Sequence, residues 1–432
     1  MHADAVVIGA GIIGCAVAFE LARGGREVVV VDALAAAGGG STGASSAIIR
    51  FHYSGRDSVT AAWESYHWWT RWEDYLGAED GRGNARFIRT GGLVLDAPGT
   101  DSSPVLKLLG EVGVPCEKLT ADEIRVRFPA IDPAGYGPPA PIDDDRFWRP
   151  AEGELRGYFT PDAGYIDDPQ LAAHNLMAAA RLHGARFLFR ERVTAVTRKD
   201  DRVGGVVLAS GRSIDAQVVV NVAGPASDPI NRLAGVTGDM RVRSRPLRVE
   251  THTIPAPRDF AIDGGGVFVT DHDLGSAFRP QAGGLVHISS IEPECDPLEW
   301  VDDPESFGSE PSMAVYERQV YRVARRLPEL AVPARPNGLG ALYDVTPDWT
   351  SIFDRSLLPG FYLACGTSGN GFKLAPVAGH LMATLINACE TGHDHDRDPV
   401  QVNCRATGNS IDLAAFSRLR TLDHDHPNNV LG

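Results

Sequence analysis

The sequence predicts an α/β chain in which a parallel-sheet domain is interrupted by a second, α+β domain built on a mixed or antiparallel sheet. Three observations predict it. First, an apolar run, Val6-Val7-Ile8, breaks into Gly9-Ala10-Gly11-Ile12-Ile13-Gly14, and a second run, Val28 to Val31, ends in Asp32. Second, two later apolar runs, Val218 to Ala223 and Gly360 to Ala364, lead into the glycines Gly224 and Gly366. Third, the stretch from about 240 to 340 between them is strand-rich, with Gly266–Thr270 and Leu285–Ser290 as strands. Short continuous apolar runs ending in glycine read as buried parallel strands.

The first run carries the most chemistry. Strand, glycine turn, helix and a second strand ending in a carboxylate make a Rossmann-like dinucleotide site. Gly9 permits a tight turn, Gly11 a close backbone approach to a pyrophosphate, and Gly14 close packing of helix on strand. Ile12 and Ile13 open the helix, whose N-terminus offers N–H groups and a positive dipole end. Asp32, with Ala33 behind it, is placed to accept ribose hydroxyls. NAD and FAD both fit this unit.

Next comes a small-residue segment from Gly38 through Gly40-Ser41-Thr42 and Ser45-Ser46-Ala47 to Ile48-Ile49-Arg50. Low bulk and hydroxyls suit a backbone wrapped around phosphates and a ring system. Ala61 to Leu76 reads as an aromatic helix whose Trp68, Trp69, Trp72 and Tyr75 form a core face. Residues 87–95 and 105–128 mix strand and helix patterns. Residues 129–150, rich in Pro and Asp, read as a lid or a disordered insertion. Pro169 to His183 is a helix capped by Asp168. Phe187–Phe189, Arg192–Thr197, Val203–Leu208 and Val218–Ala223 are strands, and Pro376 to Ala388 is the last helix. The expected division is a discontinuous dinucleotide domain (1–85, 151–238, 340–395), a substrate domain (86–150, 239–339) and a tail (396–432).

Composition narrows the function. At 432 residues, 43% hydrophobic and 22% charged, the chain is a globular protein. A net charge of −15 argues against nucleic acid and anionic membranes. The six cysteines form no C-x-x-C pair, which disfavours zinc, iron–sulfur clusters and a disulfide framework. No apolar run is long enough to span a membrane. The apolar N-terminus lacks a basic flank and is absorbed by the nucleotide fold, so the expected location is cytoplasmic.

With these residues in hand, the chain resembles the FAD-dependent amine and amino-acid oxidoreductases of the D-amino acid oxidase family, in particular its sarcosine oxidase-like branch. The resemblance spans nearly the whole chain. It rests on the N-terminal glycine motif, Ser41-Thr42-Gly43 to Arg50, and Gly164-Tyr165-Ile166-Asp167-Asp168-Pro169. It continues in Val219 to Pro225, Phe278-Arg279-Pro280, Thr346-Pro347-Asp348, and Gly366-Thr367-Ser368-Gly369-Asn370-Gly371-Phe372-Lys373. The last segment is similar to the family's G-x-S-G-H-G-F-K turn at the flavin pyrimidine edge. The family usually has Glu at Asp32, a change that shortens the ribose contact.

The resemblance implies a glutathione reductase-type FAD-binding domain and non-covalent FAD. The residues it implies at the cofactor add Arg192, Val193, Ala223 and Gly224 to the segments above. It also implies oxidation of a C–N bond by hydride transfer to flavin N5, giving an imine that water hydrolyses. Arg50 and Lys373 match the pair that anchors a substrate carboxylate, and Tyr343 matches a pocket tyrosine. His52 reads as a pocket base or a structural histidine. Where some members attach flavin through Cys or His, this chain has Ala341 and roughly Ala44.

The lysine used by sarcosine oxidase-type enzymes to activate O2 is missing, because no lysine lies between Lys199 and Lys373. Arg279 or His287 is left to supply that charge; slow reaction with O2 is expected, hence a dehydrogenase or an oxidase with a replaced cation. The acceptor is O2 or another electron acceptor. The alternatives are a 2-hydroxy-acid dehydrogenase on the same scaffold, or the flavin subunit of a heteromeric complex; otherwise the chain is a monomer or homo-oligomer. His393-Asp394-His395-Asp396 and Asp423-His424-Asp425-His426 read as a solvated tail rather than a metal site.

Overall fold

The computed structural model of the chain describes residues 1–77 and 80–422. Its first sheet has six strands in the spatial order Ile352–Arg355, Phe361–Cys365, Val218–Asn221, Ala5–Ile8, Val28–Asp32 and Arg186–Phe189. All neighbours are parallel except the Ile352–Arg355 edge. Strand alternation splits its valines between two cores. Val7, Val28, Val30, Val218 and Val220 face the helices Ile12–Arg23, Pro169–Leu182 and Gly371–Glu390. Val6, Val29, Val31 and Val219 face a three-stranded antiparallel sheet that contributes Val193, Val203, Val206 and Ile214. Both faces are therefore dry, which explains the near-continuous apolar runs.

A second, nine-stranded sheet is mostly antiparallel, with one parallel pairing between Phe268–Asp271 and Gly92–Leu95. The helix Met313–Arg326 covers one face through Tyr316, Val320 and Val323 against Val269, Phe278, Val286 and Ile288. Alternate residues of the same strands, Phe268, Thr270, Ala277 and Ser289, turn toward a cavity on the other face. Two strands join this sheet wholly or largely from outside its expected range. Gly157–Thr160 pairs with Gly92–Leu95, and Gly338–Val345 runs beside Arg245–Pro255. Long-range pairing set their place, and no local pattern reports it.

Three further expectations change. The aromatic helix is two helices, Arg56–Trp69 and Trp72–Leu76, broken at Thr70-Arg71, with Trp69, Trp72 and Tyr75 buried. The 129–150 segment is packed against the helix Met313–Arg326 and does not line either cavity. Arg326 binds the carbonyls of Asp132 and Ala134, Arg325 that of Arg149, and Arg322 that of Ala140. Tyr136 and Gly137 donate their N–H groups to Asp273, and Phe147 is buried.

Residues 396–422 are not a solvated tail. Buried Arg418 binds Asp354, Asp396 and Asp239, and Phe416 packs on Phe353. His395 is 1% exposed; its Nδ1 accepts the Val400 N–H and its Nε2 lies 3.3 Å from Asp354. Asp423 to His426 lie outside the described residues. No helix among the described residues is long and apolar enough to cross a membrane.

Candidate active site

Two adjoining cavities lie between the sheets. The first, a cleft of about 850 Å³, is lined by Gly11 to Gly14, Ser41 and Thr42, Ala44 to Ser46, Val222, Gly224, Ala341 to Asp344, Thr367, Gly369 and Phe372. A glycine turn at a helix N-terminus forms one wall. A Cβ on Gly14 would overlap the carbonyl oxygen of Gly9, so the tight helix–strand approach requires glycine there. Thr42 Oγ1 accepts the Ile12 N–H at 3.0 Å and ties the small-residue segment to the helix start. Ser41 donates to the Leu342 carbonyl at 2.7 Å, joining that segment to the second sheet.

Asp32 spends both carboxylate oxygens on the backbone: Oδ2 accepts the Ala10 N–H at 2.6 Å and Oδ1 the Leu34 N–H at 2.7 Å. It pins the glycine turn to the strand end, and each oxygen retains a lone pair for a hydroxyl. Ala33 is exposed beside it. The Glu191 N–H donates to the Asp32 carbonyl, which brings Arg192 and Val193 next to this strand end. Arg192 is exposed and pairs with Glu305, whereas Val193 is buried in the core behind the sheet. Gly40 and Gly366 are not among the residues lining the two cavities, and Ala223 sits between the lining residues Val222 and Gly224.

The second cavity, about 640 Å³, shares Ser45, Ser46, Tyr343, Gly369 and Phe372 with the cleft and adds Ala47, Ile48, Arg50, Ser368, Asn370 and Lys373. Phe268, Thr270, Ser290, Glu292 and Trp349 complete it. Four non-glycine residues in left-handed backbone line it: Ala47, Glu292, Trp349 and Ser368, with φ between 49° and 56°. Such backbone costs free energy and persists where surrounding structure imposes it, which is common at functional sites. Gly369 also has positive φ, and a Cβ there would lie 2.7 Å from the Tyr343 ring.

The turn 366–370 enters its helix earlier than the sequence suggests, at Gly371, with Pro376 inside the helix. Lys373 therefore sits in the first helical turn, buried at 4% exposure. Its Nζ donates to Asn370 Oδ1 at 2.8 Å. Arg50 Nη2 donates to the same oxygen at 3.2 Å, and the Tyr53 hydroxyl reaches it at 3.3 Å. Arg50 Nη1 donates to the His52 carbonyl. Trp69 holds the turn from behind, stacking on Phe372 with ring centroids 5.3 Å apart and donating Nε1–H to the Lys373 carbonyl at 2.9 Å. Burial, then the Arg50 charge, pushes the Lys373 ammonium well below its ordinary range.

The other sequence candidates fall behind the wall. His52 is buried, stacks on Phe268 and meets Thr270 Oγ1 at 3.3 Å; burial and then Arg50 keep it neutral. It does not line either cavity, so the structural reading fits it better than the base. Arg279 and His287 both act on Ser46. Arg279 Nε donates to the Ser46 carbonyl at 3.1 Å, and His287 Nε2 meets Ser46 Oγ at 2.7 Å. Burial lowers Arg279 to about 10, so it stays charged, while burial and then Arg279 hold His287 neutral. Glu292, Trp349 and the role of Asn370 escaped the sequence reading. Glu292 lies two residues after the expected strand Leu285–Ser290, but so plain a signal fits many surface acids.

The cleft fits a flavin dinucleotide: glycine turn, hydroxyl segment and second glycine turn form its walls, and its lining contains neither cysteine nor histidine. Comparison with known proteins agrees. A sequence profile of the FAD dependent oxidoreductase (DAO) family matches residues 4–385. The chain is 25% identical over 405 residues to peroxisomal sarcosine oxidase of Mus musculus, covering 90% of this chain and 94% of that protein. It is 25% identical over 412 residues to monomeric sarcosine oxidase of Streptomyces avermitilis, covering 90% and 95%. The fold is that of L-proline dehydrogenase from P. horikoshii, with a TM-score of 0.74 at 21% identity over 97% of both chains. It is also that of glycine oxidase from Geobacillus kaustophilus, with a TM-score of 0.71 at 19% identity over 92% of this chain and 97% of that one. The chain belongs to the FAD dependent oxidoreductase family and is an FAD-dependent oxidoreductase.

Proposed function

We propose that the protein oxidises the C–N bond of an amino acid or secondary amine bearing a carboxylate. The observation that carries this reading is the meeting of two buried cations, Arg50 and Lys373, on the neutral Asn370 oxygen, in a cavity open to the cofactor cleft. Burial and the Arg50 charge disfavour the Lys373 ammonium, and a substrate carboxylate between the two side chains offsets both effects and favours the protonated form. Arg50 and Lys373 orient the substrate, Tyr343 forms the wall shared by the two cavities, and Gly369 lets that ring lie against the turn. When bound, FAD accepts the hydride that leaves the substrate carbon. The amine nitrogen loses a proton, and water hydrolyses the resulting imine. Sarcosine oxidases and a glycine oxidase among the similar proteins support an amino-acid substrate.

Non-covalent attachment of FAD is supported by Ala341 and Ala44 in the cleft wall. Flavin that stayed with the polypeptide after acid precipitation would overturn it. Electrons pass slowly to O2 on this reading, because Arg279 reaches the cavities only through Ser46. Stopped-flow reoxidation with a fast, saturating rate would sink that part. Six free cysteines suit a reducing cytoplasm.

The test is anaerobic bleaching of the flavin with N-methyl, cyclic and D- or L-amino acids beside 2-hydroxy acids. Amines should bleach it and release ammonia or methylamine after air is admitted. Bleaching by hydroxy acids alone would replace this reading with alcohol oxidation. Arg50→Ala should keep its flavin and lose about 30-fold or more in kcat/KM, the cost of removing one member of a buried charge contact.

A further inference from the structure

Glu292 lines the same cavity as Arg50 and Lys373. It follows the strand Leu285–Ser290 and sits at φ 49°, held by its N–H donating to Ser290 Oγ at 2.9 Å. Among the described residues nothing hydrogen-bonds or ion-pairs with its carboxylate. Arg318, whose charge reaches Glu292 without an ion pair, is paired with Asp296, which also takes Arg322 through two contacts of 2.6 and 2.7 Å. The ion pair of Arg318 is therefore with Asp296 and not with Glu292. A cavity-lining acid in left-handed backbone with no protein partner is open to a ligand that supplies one.

Burial, then the Asp296 charge, pushes Glu292 up to about 8, and the Arg318 charge offsets this only in part. Phe268, Tyr343 and Trp349 line the cavity with it, offering apolar faces to an alkyl stem and ring faces to a cation. The cavity thus carries a basic pair and a separate acid that has no hydrogen bond or ion pair among the described residues.

Resting on the carboxylate reading of Arg50 and Lys373, we infer that Glu292 is a specificity residue that receives a second, cationic group of the substrate. The substrate class is then an amino acid or N-alkyl amino acid whose side chain ends in an amine or guanidine. The acidic run Asp143 to Asp145 has no part in this, since it lines neither cavity.

The test needs no turnover. The FAD-loaded enzyme is titrated with β-alanine, γ-aminobutyrate and δ-aminovalerate, and with their methyl-ended counterparts butyrate, valerate and hexanoate, reading the perturbation of flavin absorption. At the chain length that spans the cavity, the ammonium ligand should bind about tenfold tighter than its counterpart, the scale of a charge-assisted hydrogen bond. Glu292→Gln should erase that ratio while leaving alkyl carboxylate binding within about twofold. Glu292→Asp should keep a preference and shift it to the longer ligand. Equal binding at every length, or a preference that survives Glu292→Gln, would overturn the inference. Binding by neither series would overturn the carboxylate clamp beneath it. Bleaching by hydroxy acids would instead overturn the C–N reading and leave the ligand ratio intact.

Discussion

The cofactor cleft and the substrate cavity share a wall but are built by different means. The cleft is lined largely by glycine, small hydroxyl residues and backbone, supplied by short contiguous segments. The substrate cavity depends on charged and aromatic side chains from separated parts of the chain: Arg50, Phe268, Glu292, Tyr343, Trp349 and Lys373. In the cleft, shape comes from backbone that cannot carry a side chain. In the cavity, it comes from side chains held in costly backbone. The first arrangement serves a ligand common to a family, and the second leaves room for the substrate to vary without disturbing the cofactor.

The strongest challenge to this contrast is a single added side chain in the cleft. Gly14→Val should yield protein with less than about a tenth of the normal flavin content, because no rotamer escapes the Gly9 carbonyl. Normal flavin loading would mean that backbone shape does not limit the cleft. Circular dichroism should show whether the fold survives the change.

A smaller effect is expected from supplying the cavity with its own anion. Asn370→Asp places a carboxylate where Lys373 and Arg50 already meet. Flavin content should stay normal while acetate, read by flavin absorption, binds about tenfold more weakly. Unchanged acetate affinity would place the carboxylate site elsewhere.

The smallest effect is a proton count. Burial and Arg50 depress Lys373 in the free cavity, and a bound carboxylate raises it again. Above the free-state pKa, acetate binding should therefore take up as much as about one proton, and its affinity should fall as pH rises. Calorimetry in buffers of different ionisation heat measures this. Lys373→Arg should remove the uptake, and an uptake that persisted would assign the proton to another group, Glu292 first.

The two regions were not equally legible. Gly9 to Gly14, Asp32, the Ser41–Ser46 segment and the Gly366–Lys373 turn were readable because each is a local string whose spacing sets its geometry. The parallel strands were readable for the same reason: their apolar runs record burial on both faces. Gly157–Thr160 and most of Gly338–Val345 fall by sequence in the other part of the fold, since strand pairing is chosen by distant partners. The C-terminal His/Asp segment read as solvated because its partners, Asp354 and Arg418, lie elsewhere in the chain.

By itself, the sequence determined the dinucleotide fold and its cofactor class, because a glycine turn and a strand-end acid act through backbone geometry that a few neighbouring residues specify. Only the tertiary structure decided the electrostatics of the cavity. It brought Arg50 and Lys373 onto one Asn370 oxygen, kept His52 behind the wall, and left the Glu292 carboxylate without a hydrogen bond or ion pair among the described residues. Desolvation and pairing depend on which side chains meet in space, and here those side chains are separated by long stretches of chain.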